Sequence, residues 1–256
     1  MNYSVVSKYL RCVMAGFLAI MVCFVPVHGD EKEEEYTYSC RTIDTYDYRF
    51  PVPYSEYIEE SYYDDAFFAG DSRMGAFLLY GTHENRNVAY ATSVSMMTLD
   101  ITKVDMVEED VTLYQLLTEC DKNNIYILIG INEIRNPNFI VFGEMLQELI
   151  TKIKNKNPWV NLYLILAYHP DYISNLPEPK LSEHLQDLNT TLINLAIINH
   201  TYYLDPDNGL DDEYGTIIDA YVWDGLHLNV DGARAFEEYI DTHVVRSERY
   251  VKEVCE

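Results

Sequence analysis

From residue 65 onward, the chain alternates short apolar runs with longer stretches in which apolar residues recur every three or four positions. The short runs have the length of strands, and the longer stretches have the period of amphipathic helices. The predicted strands are 65–70, 87–92, 125–130, 162–167 and 202–205, and the predicted helices are 72–80, 112–120, 140–155, 182–199 and 233–245. Alternating apolar residues also predict a hairpin at 101–111.

Apolar strands that alternate with helices are typical of a parallel sheet covered on both faces. Right-handed crossovers then place helices on each side of the sheet. The sequence therefore predicts the α/β class, as a three-layer α/β/α sandwich with a mostly parallel, flavodoxin-like sheet. Ligands of such sheets bind beyond the carboxyl ends of the strands, so the residues that follow each strand are the first place to look for chemistry.

The first 29 residues have the pattern of an export signal. Lys8 and Arg11 precede an uncharged, mostly apolar stretch at 12–27, which is shorter than a comfortable membrane span. Small residues before Asp30 fit a cleavage site at that point. We therefore expect 1–29 to be a signal peptide and the protein to be secreted or held at the cell surface, outside the cytoplasm. Retention of the segment as a membrane anchor is the alternative.

The mature chain is predicted to begin with an acidic, tyrosine-rich arm at 30–63, followed by one folded domain at 64–256. With 48% hydrophobic residues, the 256-residue chain can bury a substantial core. Its net charge is −24, and such a charge repels phosphate backbones and anionic lipid. We expect no nucleic-acid partner and no stable membrane insertion after cleavage. The 23 tyrosines suit contacts with sugars and other wet interfaces.

Three cysteines remain after the predicted cleavage. Cys40 and Cys255 lie near the two ends of the mature chain, and the ends of a domain are often close in space. A disulfide between them is compatible with export, and Cys120 would then be free. Three reduced thiols are the alternative, because the count alone does not establish a pairing.

Polar residues with catalytic potential follow the predicted strands. Ser72 comes directly after the first strand, Asn132 comes after the third, and Asp224 and His227 are three residues apart across a glycine turn. A carboxylate that holds an imidazole can make it the base for a serine nucleophile, while an asparagine amide can donate to the resulting oxyanion. Each residue alone has a commoner structural role, as a helix cap, a turn residue or a packed histidine. Their combination at one sheet edge favours catalysis.

Two further charged features have structural explanations. Arg73, beside Ser72, can meet an anionic substrate, but pairing with one of the many carboxylates is favoured. The acidic sequence at 205–213 is faintly similar to a calcium loop, but it lacks the complete twelve-residue ligand pattern. We therefore interpret it as a solvated acidic loop.

Together these motifs resemble those of the SGNH, or GDSL, hydrolase family over roughly residues 65–245. The matching blocks are GDS at 70–72, GINE at 130–133, where the family usually has an aspartate in the last position, and DGLH at 224–227. The resemblance implies the SGNH hydrolase fold and a catalytic triad of Ser72, Asp224 and His227. It also implies an oxyanion hole that includes the Ser72 N–H and Asn132, with no metal and no organic cofactor.

One block departs from the family pattern. The family has a glycine after the second strand whose N–H completes the oxyanion hole, whereas this chain has no glycine at 90–96. A backbone N–H needs no particular side chain, so Ser93, Val94 or Ser95 can still donate, and we predict Val94. A β-carbon at this point can crowd the approach or strain the backbone.

The predicted function is that of an exported serine esterase that hydrolyses short-chain, acetyl-type carboxylic esters through an acyl-enzyme. Its expected partner is a small-molecule or carbohydrate ester substrate. Three alternatives remain: a non-catalytic glycan-binding member of the fold, an O-acyltransferase, and a lysophospholipase that uses the same triad. The missing glycine favours the first alternative, whereas the presence of all three triad residues opposes it.

Overall fold

The computed structural model describes residues 20–21, 38–246 and 249–255. It divides the chain into two compact units, one at 47–245 and the other formed by the described residues outside that range. Of the predicted signal peptide, only Ile20 and Met21 belong to the described residues, and the predicted cleavage site lies outside them. No helix among the described residues is both long and apolar enough to cross a membrane.

Among the described residues, the first and last regular elements are strands. The strands are β1 (Ile20–Met21), β2 (Tyr38–Asp44), β3 (Ala66–Gly70), β4 (Asn87–Tyr90), β5 (Asn124–Leu128), β6 (Asn161–Ile165), β7 (Tyr202–Leu204) and β8 (Val251–Cys255). The α-helices are α1 (Met74–Tyr80), α2 (Leu113–Glu119), α3 (Phe139–Lys156), α4 (Lys180–Asn199), α5 (Asp207–Leu210) and α6 (Val230–Asp241). Short 3₁₀ helices lie at Glu60–Asp65, Met96–Thr98 and Asp219–Tyr221.

The larger unit is built on a five-stranded sheet in the order β4-β3-β5-β6-β7, in which every neighbouring pair is parallel. This is the flavodoxin-like order, and it confirms the predicted fold class. Helices α2, α3 and α4 supply the apolar core on one face of the sheet. On the other face, α1 and α6 meet through the rings of Phe77 and Phe236, whose centroids are 5.8 Å apart.

The second face of the sheet carries a row of aromatic rings. Phe68, Tyr126, Tyr163 and Tyr202 share one register across β3, β5, β6 and β7. Successive ring centroids are 4.5, 4.3 and 5.1 Å apart. Several of the many tyrosines are therefore buried in the core of this protein.

The smaller unit is a separate antiparallel sheet in the order β1-β2-β8. Its register places Cys40 opposite Cys255. Cys40 is disulfide-bonded, and Cys120 is free, as expected. The chain between 38 and 44 thus forms a strand, where the sequence pattern predicts only an irregular arm.

The predicted hairpin at 101–111 is confirmed only in part. The segment folds back through an antiparallel bridge between Lys103 and Thr112 and a 2.9 Å hydrogen bond from the Val104 N–H to the Val111 carbonyl oxygen, but it contains no strand. Ile101 and Met106 are exposed, so the alternating apolar residues do not define a buried face. Thr112 instead caps α2 by accepting a hydrogen bond from the Gln115 N–H, as predicted.

Candidate active site

The close approach of β3 and β5 fixes the position of Ser72. A β-carbon added to Gly70 would lie 2.4 Å from the carbonyl oxygen of Leu128, so only glycine fits at the end of β3. The next residue, Asp71, donates its N–H to the same oxygen over 2.9 Å. Ser72 then lies half-buried in the turn before α1, two residues earlier than the helix itself.

Ser72, His227 and Asp224 form a continuous hydrogen-bonded chain. The Ser72 Oγ is 2.9 Å from the His227 Nε2, and the His227 Nδ1 is 2.8 Å from the Asp224 Oδ2. This geometry suits an Nδ1–H that donates to the carboxylate and an Nε2 that accepts the serine proton. The side chains of His227 and Asp224 are 38% and 57% exposed, so the site opens to solvent.

A tight turn holds the carboxylate and the imidazole together. Val222 and Leu228 form an antiparallel bridge, and within it Gly225 has a φ of +80°, in the left-handed region that favours glycine. Partial burial acts to raise the pKa of Asp224. Hydrogen bonds from the His227 N–H, the imidazole and the Leu226 N–H outweigh this effect and lower that pKa. Asp224 is therefore a stable anion beside the imidazole.

Asn132 is tied to the turn that follows β4. Its Nδ2 donates to the carbonyl oxygen of Val94 over 2.7 Å. An amide NH₂ has two protons, so one remains for a ligand. The sequence prediction thus places Asn132 correctly at the same sheet edge as Ser72.

The N–H groups of that turn differ in availability. Those of Thr92, Ser95 and Met96 donate to side-chain oxygens, over 2.5, 3.0 and 2.6 Å respectively. The Val94 N–H makes only a long bond of 3.4 Å, to the Ala91 carbonyl oxygen. Among the described residues, the Ser93 N–H has no hydrogen-bond partner.

Ser93 also shows the backbone effect expected from the missing glycine. It has a φ of +60°, a conformation that costs most non-glycine residues energy. The chain thus keeps a glycine-like turn at this point without a glycine, and the Ser93 side chain is exposed rather than packed.

Glu133 occupies the position where the family usually has aspartate. It contacts the turn after β4, which is expected to supply an oxyanion donor. Its Oε1 accepts the Met96 N–H, while its Oε2 is buried without a partner in the described part of the chain. Burial raises the pKa of Glu133 to about 7, with a further contribution from the charge of Asp71. A carboxyl group accepts hydrogen bonds in both its charged and its neutral form, so Glu133 can anchor the Met96 N–H in either state.

A chain of contacts connects the turn that holds Ser72 with the turn that holds Asp224 and His227. Arg73 and Asp71 form a fully buried ion pair at 2.8 Å, which confirms the favoured interpretation of Arg73. The Arg73 guanidinium lies 5.5 Å from the ring centroid of Tyr168. The Tyr168 hydroxyl donates to the Leu226 carbonyl oxygen over 2.6 Å. Tyr168 thus supports the turn between Asp224 and His227.

Sequence reasoning missed Tyr168 and its neighbour Tyr172. Both follow β6, and the rule that directs attention to strand ends applies to them as well. Tyr172 lies against the turn at 222–228 that carries Asp224 and His227, which we call the catalytic turn. A β-carbon on Gly225 in this turn would be 3.4 Å from the Tyr172 Cβ. Trp223 precedes Asp224 directly, and the sequence motifs give it no role.

The acidic loop at 205–213 is not simply solvated. Asp205, Asp207 and Asp211 each bury one carboxylate oxygen that has no partner among the described residues. Burial and the neighbouring carboxylates raise the pKa of Asp207 to about 7 and that of Asp211 to about 6. Within the described ranges, no group of three or more histidine, cysteine or acidic side chains has an arrangement that could hold a metal ion.

Comparison with known families gives a specific match. The model of the GDSL-like lipase/acylhydrolase family matches residues 75–235. The matched region begins three residues after Ser72 and contains Asn132, Asp224 and His227. No curated protein is similar enough in sequence to count as a match.

Several solved structures share the fold. A candidate platelet activating factor from Streptococcus pneumonia has a TM-score of 0.54 at 18% identity, with 69% of this chain and 81% of that chain covered. A GDSL-like lipase from Bacteroides thetaiotaomicron has a TM-score of 0.52 at 11% identity, covering 72% and 86% of the two chains. A candidate acylhydrolase from Bacteroides fragilis has a TM-score of 0.53 at 13% identity, covering 74% and 88%. At these identities the likeness concerns the fold alone.

Proposed function

Because the chain belongs to the GDSL-like lipase/acylhydrolase family, we propose that it is an exported serine esterase that hydrolyses short-chain carboxylic esters through an acyl-enzyme. The observation that carries this proposal is the hydrogen-bonded chain from Ser72 through His227 to Asp224. Such a chain gives a serine the base that it needs at neutral pH.

In the first step, the Ser72 Oγ attacks the ester carbonyl carbon while the His227 Nε2 takes the hydroxyl proton. Asp224 holds the imidazole through Nδ1 and stabilises the imidazolium that forms. Collapse of the tetrahedral intermediate breaks the bond to the alcohol oxygen, which receives the proton from Nε2. Water then attacks the acyl-enzyme with His227 as base, and the acid leaves.

The oxyanion is stabilised by three donors. Two are the N–H of Ser72 and the second amide proton of Asn132, which is free of internal bonds in the described part of the chain. The third is a backbone N–H of the turn at 91–94, which is either the predicted Val94 or its alternative Ser93, whose N–H is unpaired in the described part of the chain. Donors that are already in place stabilise the developing charge without reorganisation.

Hydrolysis of a p-nitrophenyl ester series from acetate to decanoate tests the reaction. The full chain should hydrolyse acetate fastest, and Ser72→Ala should lower kcat by at least about 10³-fold while the circular dichroism spectrum stays unchanged. Wild-type activity in the Ser72→Ala protein would refute the assignment of the nucleophile. Preference for decanoate would instead indicate a lipase-like or lysophospholipase-like enzyme.

Export is a separate part of the proposal and has its own test. It is supported by the charge and apolar pattern of 1–29. Expression in a secretory host, followed by fractionation and N-terminal sequencing, should give an extracytoplasmic protein that begins at Asp30. A protein that starts at Met1 in the membrane fraction would show an anchor instead.

A further inference from the structure

The geometry points to a sugar-binding platform beside the catalytic histidine, formed by Trp223 and Tyr172. We propose that the two aromatic faces hold the carbohydrate part of an acylated sugar while its ester reaches Ser72. This inference rests on the proposed esterase function and names the class of alcohol that the site accepts. The platform lies on two chain segments that already meet at the catalytic turn.

Trp223 is paired with His227 across the turn. The bridge between Val222 and Leu228 makes Trp223 and His227 the next opposed pair, and the Trp223 N–H donates to the His227 carbonyl oxygen over 2.9 Å. Directly opposed residues of an antiparallel pair project to the same side, with β-carbons about 5 Å apart. Trp223 therefore starts from a position next to His227 on the turn, and it is 68% exposed.

Tyr172 reaches the same turn from the segment after β6. The Asp171 N–H donates to the Gly225 carbonyl oxygen over 2.8 Å, and the backbone of Tyr172 approaches Gly225 so closely that an added β-carbon would lie 3.2 Å from its nitrogen. The side chain of Tyr172 is nevertheless 60% exposed. The two aromatic residues thus flank the Asp224–His227 turn without being buried by it.

Neither ring has an internal partner that explains its position. Within the described ranges, neither Trp223 nor Tyr172 makes an aromatic pair or a cation–π contact. Exposure alone does not indicate a ligand, because Trp159 is even more exposed. Trp223 and Tyr172 differ in lying at the catalytic turn, where burial of their apolar surface against a substrate releases free energy. A ligand with apolar C–H faces would recover that free energy.

The surrounding charge favours a neutral polyol over a phospholipid. The chain has a net charge of −24, and Asp171 and Asp224 are the sequence neighbours of Tyr172 and Trp223. Negative charge repels anionic headgroups, whereas carboxylates accept hydrogen bonds from sugar hydroxyls. An acylated sugar offers apolar C–H faces to the two aromatic rings and hydroxyl groups to the neighbouring carboxylates.

The second tryptophan of the chain is a matched control. Trp159 is 82% exposed, but it lies between α3 and β6, at the amino end of the sheet. It therefore has the same chemistry and similar exposure at the edge opposite to the catalytic residues. A substrate platform requires Trp223 and not Trp159.

Kinetics on two substrates test the platform. We compare kcat/KM for acetylated xylo-oligosaccharides with kcat/KM for p-nitrophenyl acetate, and use the ratio as the measure of sugar recognition. Trp223→Ala and Tyr172→Ala should each lower the ratio, for Trp223→Ala by about tenfold, mainly through KM for the sugar ester. Trp223→Phe should restore most of it, and Trp159→Ala should leave the ratio and both activities unchanged.

Fluorescence gives a readout that does not depend on turnover. Because the chain has 2 tryptophans, Ser72→Ala combined with Trp159→Phe leaves Trp223 as the single reporter. Its emission should shift and saturate on titration with the acetylated oligosaccharide, whereas Ser72→Ala combined with Trp223→Phe should show no change.

The outcomes separate this inference from the proposed function. If the wild-type enzyme hydrolyses p-nitrophenyl acetate through Ser72 while the ratio and the Trp223 emission stay constant, the platform is refuted and the esterase stands. If Ser72→Ala keeps full activity while Trp223 still reports saturable sugar binding, the esterase is refuted and the platform stands. If Trp223→Ala and Tyr172→Ala lower kcat/KM for a lysophospholipid ester but not for the sugar ester, the platform is overturned in favour of a lipid contact.

Discussion

The side-chain amide of Asn132 donates to the carbonyl oxygen of Val94 over 2.7 Å, so the loop after β5 and the turn after β4 are joined where the oxyanion is expected. Asn132→Ala should lower kcat by about 10²–10³-fold with little change in KM, because it removes a transition-state donor. Steady-state kinetics on p-nitrophenyl acetate measure the effect. Asn132→Asp should be equally impaired, because it places a negative charge beside the oxyanion. A loss below about threefold in both variants would exclude Asn132 from the oxyanion hole.

The catalytic turn should be intolerant of a side chain at Gly225. Gly225→Ala combines a φ of +80° with a β-carbon 3.2 Å from the Tyr172 nitrogen, so the turn must shift and carry His227 with it. We expect kcat to fall by about 10²-fold, since small displacements of catalytic groups have large effects. Gly215→Ala is the control, because Gly215 has a φ of +77° and open space around it. It should cost about 1 kcal/mol of stability and leave kcat unchanged; equal kcat in the two variants would contradict this account.

Tyr168 should act as a positioning residue through the Leu226 carbonyl oxygen. Tyr168→Phe removes the 2.6 Å hydrogen bond and should lower kcat by about tenfold with KM preserved, because the Asp224–His227 turn loses its support. Leaving the partly buried Leu226 carbonyl oxygen without this donor also costs about 1 kcal/mol of stability. Tyr163→Phe is matched in burial and removes a bond from the Val245 N–H. It should lose similar stability but no activity, so parallel losses of kcat in both variants would reduce Tyr168 to a packing role.

The strands β3, β5 and β6 could be predicted because they are buried on both faces and are therefore continuously apolar. Thr112 could be recognised as a cap from the glutamine three residues later. The strand-end rule then brought Ser72 and Asn132 to one sheet edge. By contrast, the pairing of β2 with β8 joins polar segments from opposite ends of the chain, and no local pattern encodes such a ladder.

Other parts of the site depend on contacts that sequence does not display. Ser93 has a positive φ, and the N–H groups around Val94 differ in whether they are hydrogen-bonded. Both features arise because the turn is bonded to Glu133 and Asp105. The hairpin predicted at 101–111 folds back without forming strands, because alternation alone does not reveal whether one face has a partner to cover it. Tyr168 was missed because its role depends on a bond to a residue 58 positions later.

His83 should make stability decrease at alkaline pH. Its Nε2 lies 2.9 Å from the Asp241 carboxylate, and its Nδ1 contacts Glu60. Burial acts to lower the pKa of His83, but the two carboxylates outweigh it and raise that pKa above 6.5. The stabilisation is therefore complete below about pH 6.5 and is lost as pH rises through the native pKa. Urea unfolding at pH 6 and pH 9 should show the decrease, and it should be smaller in His83→Gln, where only other groups with raised pKa values such as Asp207 and Glu133 still contribute. A variant that loses as much stability over this step as the wild type would assign the His83 part to another group.

Asp207 should reduce stability at neutral pH and above. Burial, followed by the charges of Asp211 and Asp205, raises its pKa to about 7, so the native state holds a proton that the unfolded chain has lost from about pH 4 upward. Stability then falls as pH rises from about 4 to 7. Asp207→Asn should stabilise the protein by about 1–2 kcal/mol at pH 8 and by nothing at pH 4.

The neighbouring Asp212 provides the comparison for Asp207. Hydrogen bonds from the N–H groups of Tyr214 and Thr216 lower the pKa of Asp212, so Asp212→Asn should bring no gain at pH 8. Denaturant unfolding of both variants at the two pH values measures the difference. Equal stabilisation by the two substitutions would point to the overall negative charge rather than to the buried cluster.

The aromatic row across the sheet has a consequence for how this sequence can change over generations. Each of Tyr126 and Tyr163 lies between two other rings of the row, so a smaller residue at one position leaves a gap that its neighbours cannot close by themselves. Folded variants should then carry substitutions at several positions of this row together, so the identities of the four residues should covary. A library that varies all four codons together would recover sets of compatible rings, whereas libraries that vary one codon at a time would return the parent residue.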